Sequence, residues 1–170
     1  MREGERVLDA GCGTGTLAIE AKRRVGSRGL VAGVDASAEM IARARAKAAK
    51  ARVDVDLKIA AAESLPWANA SFDVAFCSLM LHHLPRDTRA RCLREIRRVL
   101  TPGGRLLIIE FSITEPRRGI IARLHKRGGI NLDALREMLA ACGFPHVQTG
   151  DAGRANLVSL LARGDATAPH

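Results

Sequence analysis

The sequence predicts one doubly wound α/β domain on a mostly parallel, seven-stranded sheet. Three observations carry that expectation. An apolar run ending in an acid, Val7-Leu8-Asp9-Ala10, leads into Gly11-Cys12-Gly13-Thr14-Gly15, where glycine recurs at alternate positions, and then into an apolar helical pattern. Glycine suits a turn whose backbone goes left-handed or lies close against a ligand. A second apolar run, Leu30-Val31-Ala32-Gly33-Val34, ends on Asp35, twenty residues past Gly15. A glycine turn after a first strand, with an acid closing the second, marks a nucleoside site in a doubly wound sheet. Strand-like and helix-like stretches then alternate along the chain, as in a parallel sheet with helices on both faces.

The elements follow in order. The first strand is Arg6–Ala10, and the first helix runs from Thr16 to Val25 with Leu17, Ala18, Ala21 and Val25 on one face. Gly26-Ser27-Arg28-Gly29 is a turn. Strand two is Leu30–Asp35. Ser37 is a good N-cap for the next helix, Glu39 adds an acid to its first turn, and Met40, Ile41, Ala44 and Ala48 form its apolar side. Strand three, Val53–Ile59, alternates with Asp54, Asp56 and Lys58, so one face is wet, as at a sheet edge. A loop with Leu65-Pro66-Trp67 precedes strand four, Phe72–Cys77. Asp87 can cap the helix whose inner face is Cys92, Leu93, Ile96, Val99 and Leu100. Thr101-Pro102-Gly103-Gly104 stops that helix. Strand five, Arg105–Phe111, is apolar on both faces and therefore central. Ser112–Ile130 is the least regular stretch. Asn131 or Asp133 opens a helix ended by Gly143, and strands near His146–Thr149 and Ala155–Ala162 close the domain. With no helix between them, those two suggest a hairpin, so one runs antiparallel to the rest.

Bulk composition sets bounds on function. A length of 170 residues suits a single domain over residues 1–163, with a frayed tail at 164–170. No secretory signal and no membrane-spanning run are visible. Cys12, Cys77, Cys92 and Cys142 are widely spaced, which favours neither a disulfide framework nor a metal site and points to a reducing cytoplasm. The net charge of +9 fits an anionic partner, although arginine on solvated helix faces explains much of it. With Trp67, four Phe and no Tyr, a base-stacking platform for nucleic acid is poorly supplied.

The glycine spacing narrows the nucleoside. A dinucleotide fingerprint needs glycine at 11, 13 and 16, but position 16 is Thr16 and the glycine is Gly15. The pattern from Asp9 to Gly15, taken with Gly33-Val34-Asp35-Ala36-Ser37, resembles the class I S-adenosylmethionine-dependent methyltransferases. Glu63-Ser64-Leu65-Pro66-Trp67, Ser71-Phe72-Asp73-Val74 and Leu100-Thr101-Pro102-Gly103-Gly104-Arg105-Leu106 carry the likeness further. They bring it closest to the ubiquinone/menaquinone-biosynthesis C-methyltransferases. The resemblance runs from about Val7 to Cys142 and implies a Rossmann-like sheet whose last strand inserts beside the fifth. In that family helices usually precede the first strand. Here only a few polar residues do, so the chain is either minimal or lacks its front end, and in the second case its acceptor side is more open.

The resemblance also implies site residues. Asp35 accepts both ribose hydroxyls. The turn Gly11, Cys12, Gly13 and Gly15 approaches the methionine half, Cys12 being a small residue that fits there. Asp9 orients the turn or meets the methionine amino group, and Ser78 meets that group from the end of strand four. Ala36 and Met40 pack on the adenine, unless Met40 is core. The family's acid against the adenine amino group falls here on Ala61, so either Glu63 substitutes or the backbone of Ala62 and Glu63 holds the ring. His82 and His83 are the general-base candidates near the site. No metal is implied.

The expected activity is methyl transfer from S-adenosylmethionine to a small-molecule or lipid-like acceptor, by in-line displacement. The basic stretch Arg117–Arg127 suggests peripheral contact with an anionic membrane, and association into oligomers is open. RNA methylation fits the charge, but Cys77-Ser78-Leu79-Met80 stands where a nucleic-acid enzyme would carry an N-P-P-Y-type tetrapeptide. A non-catalytic donor-binding module or partner subunit is the remaining alternative.

Overall fold

The computed structural model describes residues 1–112, 129–153 and 157–164. The basic stretch Arg117–Arg127 and the tail beyond Gly164 lie outside them. The elements are β1 (Arg6–Ala10), α1 (Thr16–Val25), β2 (Leu30–Asp35), α2 (Ala38–Ala51), β3 (Asp56–Ile59) and β4 (Phe72–Ser78). A one-turn 3-10 helix (Leu81–His83), α3 (Arg86–Val99), β5 (Leu100–Phe111), α4 (Leu132–Ala141), β6 (His146–Asp151) and β7 (Leu157–Arg163) follow. The seven strands form one sheet in the order β3-β2-β1-β4-β5-β7-β6. β1 to β5 pair in parallel, and β7 runs antiparallel between β5 and β6. The hairpin and the insertion beside β5 are as expected.

Strand parity sorts the core. Leu8, Ala10, Ala32, Val34, Ala75, Cys77, Leu106 and Ile108 face α3 and α4, burying Leu93, Ile96, Leu135, Leu139 and Phe144. Val7, Val31, Val74 and Phe76 face α1 through Ala18, Ala21 and Val25. Ile41 and Ala44 of α2 meet Leu57 and Cys12. Among the described residues no helix is long and apolar enough to cross a membrane.

Several local expectations need correcting. Leu17 is 41% exposed, and Ile19 takes the inward place in α1. β3 begins at Asp56, not Val53, although it is an edge strand as its alternation indicated. Ser78 belongs to β4. Asp87 does not cap α3: the helix starts a residue earlier with Pro85 at its N-cap, leaving Asp87 in the first turn. β5 already begins at Leu100, and the Pro102-Gly103 kink becomes a register shift against β4, with Phe72 opposite Leu100 and Val74 opposite Arg105. β5 is internal, yet only its Leu106, Ile108, Glu110 and Ser112 side is buried. Ser37 does cap α2, accepting from Met40 N–H at 3.3 Å, and Asn131 caps α4, accepting from Ala134 N–H at 3.0 Å.

Candidate functional site

β1 lies inside the sheet, with β2 on one side and β4 on the other. The chain therefore leaves β1 in one direction and returns on the other, which opens a crevice at the strands' carboxyl ends. The glycine turn lies there. The N–H groups of Gly11 and Cys12 both donate to Val34 C=O, at 2.9 and 2.7 Å, stitching the turn to β2. All three of its glycines are left-handed, with φ of 77°, 51° and 73° at Gly11, Gly13 and Gly15. Their surroundings differ. A Cβ on Gly11 would lie 2.6 Å from Met80 Cγ, and one on Gly15 would lie 3.0 Å from Ala44 Cβ in α2. One on Gly13 would meet nothing within 4 Å. Gly11 and Gly15 thus admit the protein's own side chains, whereas Gly13 faces open space.

Asp35 borders that space. Its Oδ2 accepts from Gly13 N–H and its Oδ1 from Ser37 N–H, each at 2.9 Å. An ionised carboxylate has about four acceptor positions, so a fixed pair remains for a ligand. Asp9 stands beneath the turn on the α1 face and is 2% exposed. It accepts from Ala18 N–H, serving α1, whose N-cap Gly15 has no side chain to offer. Burial pushes its carboxyl up to about 7, the Ala18 bond opposes this, and the nearby Asp35 charge adds to it. Cys12 is buried, and burial with the Asp9 and Asp35 charges pushes its thiol up to about 12, so it is no nucleophile.

Around this centre, Ala36 is exposed and Met40 half-buried at the start of α2. Ala60 N–H donates to Asp35 C=O at 3.1 Å, tying the next loop to the end of β2. In that loop Ala62 is buried and Glu63 half-buried. Burial first, and then the Glu63 charge, push the Cys92 thiol up to about 12, which puts Glu63 on the α3 side of the loop. Ser78 is half-buried at the end of β4.

The histidines have different settings. His83 is exposed. His82 is 12% exposed at its side chain, and its Nδ1 lies 2.7 Å from Oε2 of Glu110, which is fully buried. Glu110 Oε1 accepts from Leu81 N–H at 2.7 Å. Glu110 was missed in the sequence. Its one signal was an acid inside the apolar run Leu106-Leu107-Ile108-Ile109-Glu110-Phe111. Leu17, Ile59, Leu79 and Phe111, among the exposed large apolar side chains, also line the carboxyl ends of the strands. A cavity of about 390 Å³, lined by Arg94, Arg97, Arg98, Pro102 and Cys142, lies at the opposite edge of the sheet. Arg98 there is already bonded to Trp67 C=O, Leu65 C=O and Glu95, so we place the site at the glycine turn.

The family described as methyltransferase domain matches residues 7–104. The ubiquinone/menaquinone biosynthesis C-methyltransferase of Methylococcus capsulatus is 38% identical over 114 residues, covering 66% of this chain and 45% of that protein. The 27-O-demethylrifamycin SV methyltransferase of Amycolatopsis mediterranei is 39% identical over 124 residues, covering 72% and 44%. The chain thus spans less than half the length of these relatives. A solved methyltransferase structure from Aquifex aeolicus superposes with a TM-score of 0.77 at 23% identity, covering 95% of this chain and 83% of that one; at that identity the likeness shows the fold.

Proposed function

Because this chain belongs to the methyltransferase domain family, we propose that it binds S-adenosyl-L-methionine at the glycine turn and transfers a methyl group to a small-molecule acceptor. The observation that carries this reading is the open cradle at Gly13 beside Asp35. When bound, the donor supplies a methyl group on a positively charged sulfur.

The residues present fit such a donor. Asp35, already fixed by two backbone N–H groups, has lone pairs left for a pair of ribose hydroxyls. The backbone at Gly11, Cys12 and Gly13 takes the methionine half, and Asp9 and Ser78 serve its amino group. A cationic amino group also compensates the buried Asp9 carboxylate. Ala36, Met40 and the backbone of Ala62 and Glu63 hold the adenine. The chain's contribution is chiefly placement, and fixed alignment of reactants is worth up to ~7–11 kcal/mol.

The acceptor is a small molecule, as the names of the C- and O-methylating relatives indicate for those proteins. The exposed apolar groups at the same edge favour an apolar body on it. The four free, buried cysteines fit a reducing cytoplasm. Contact of Arg117–Arg127 with anionic membrane rests on charge alone, and liposome sedimentation that ignores anionic lipid would remove it. The donor reading is tested by calorimetry. Asp35→Ala should weaken S-adenosylmethionine binding at least about tenfold, the loss of a charge-assisted pair. No binding to the unmodified chain at millimolar donor overturns the proposal.

A further inference from the structure

We propose that Glu110 is a positioning residue that holds His82 as its Nδ1–H tautomer, leaving Nε2 as the base for an acceptor whose nucleophile carries a proton. This rests on the methyl-transfer reading and narrows its substrate to phenol- or enol-like molecules.

The placement of Glu110 is unusual. It continues the inward row of Leu106 and Ile108 on β5, and its side chain is fully buried. A carboxylate there is costly unless both oxygens are bonded. Both are: Oε1 takes Leu81 N–H and Oε2 faces His82 Nδ1, each at 2.7 Å. A carboxylate without its proton only accepts, so against it Nδ1 carries the hydrogen, and in the uncharged imidazole Nε2 is then the bare nitrogen. Among the described residues nothing bonds Nε2, and the side chain keeps 12% exposure. The His83 ring at 3.9 Å and the Phe111 ring at 5.9 Å fix the plane of the imidazole. A mere anchor for the 3-10 helix would need an oxygen for Leu81 N–H but no charge. The charge matters once Nε2 takes a proton, because the imidazolium then lies against a buried anion.

The segment that carries His82 is tied to the donor turn one step upstream. Met80, just before the 3-10 helix, packs on Gly11. Exposed Leu79 and Phe111 flank it with apolar surface. In the step, the acceptor's hydroxyl proton passes to His82 Nε2 while an oxygen lone pair forms the new bond to the methyl carbon. The electron pair of the broken carbon–sulfur bond remains on sulfur. The positive charge thereby moves from sulfur to the imidazolium, which Glu110 holds.

The test uses Glu110→Gln, which is isosteric and keeps an oxygen for Leu81 N–H. Its amide then points N–H at Nδ1 and forces the opposite tautomer. Long-range ¹H–¹⁵N spectra of histidine-labelled protein, with His82→Gln for assignment, should show Nδ1–H on His82 in the native chain and Nε2–H in Glu110→Gln. Calorimetry with S-adenosylmethionine should show unchanged donor affinity in both variants. Methylation of catechol, read from S-adenosylhomocysteine release, should fall at least about a hundredfold in each, the usual weight of a general base. An Nε2–H tautomer in the native chain, or catechol turnover retained in Glu110→Gln, overturns the proposal. So does a native chain that binds donor but leaves catechol untouched. Lost donor binding by the native chain would instead strike the methyl-transfer reading.

Discussion

Asp9 and Asp73 sit at opposite edges of the sheet and answer pH in opposite directions. Burial raises Asp9 from its ordinary 3.8 to about 7. Between those values the unfolded chain has lost this proton and the folded chain keeps it, so stability falls as pH rises from about 4 to about 7. The full difference is on the order of 4 kcal/mol. Asp73 is lowered, first by its side-chain bond to Arg6, so its contribution is present above its ordinary value and lost as pH falls below. Urea unfolding should therefore find native stability highest near the ordinary carboxylate range, and Asp9→Asn should remove the decline on the neutral side. At the turn, Gly13→Ala should cost about 1 kcal/mol of backbone strain yet most of the donor affinity. Gly15→Ala should cost more stability, because its Cβ crowds Ala44 as well. The left-handed glycine turn and the Asp35 that bonds it were legible as local structure, because the partners are near in sequence or one strand away. The Glu110 contacts were not, since Arg105–Phe111 reads as an apolar central strand and nothing local shows that the fold brings Leu81 and His82 to the one acid in it.

At the scale of elements, the helix ends separate strong signals from weak ones. Ser37 and Asn131 bond the backbone of the turns they open, and replacing either with Ala should lower stability by about 1 kcal/mol in thermal or urea unfolding. Asp87→Ala should cost less, at most the few tenths typical of an exposed acid near a helix dipole. Asp87 is a residue type that can cap, but proline suits a helix entrance too, and Pro85 takes that place. Leu17 misled for a related reason. At a helix's first turn the apolar stripe is poorly fixed, and neighbouring Ile19 can take the inward place. β5 shows the converse. Its Pro-Gly kink was visible, but parallel pairing with β4 resumes on either side of it, which local chemistry does not encode.

Over the whole molecule, the two ends of the sheet differ, although Met1 and Leu30 are exposed at the amino edge as well. The amino edge of the sheet is tied by Arg6 to Asp73 at 2.8 Å and by Arg105 to Glu5 at 2.6 Å. The carboxyl edge keeps exposed apolar groups and the Gly13 cradle. Asp73→Asn should thus lower stability by no more than ~1 kcal/mol, given the exposure of that pair, and leave donor affinity unchanged in calorimetry. The strand alternation and the final hairpin made the architecture readable from sequence. The site's apolar rim was not, because single exposed apolar residues become a surface only when the sheet gathers the strand ends.

The place of β7 between β5 and β6 has a consequence for the chain as it is made. Five parallel strands are complete by Phe111, yet the outer border of β5 stays open until the ribosome has delivered β7, after every other strand described. Through that interval a long apolar border is available to any passing strand, the circumstance in which nascent sheets stick to one another. A chain stopped after Asp151 should therefore collect in the pellet during expression, whereas the full chain, able to seal its own border, should remain in the supernatant.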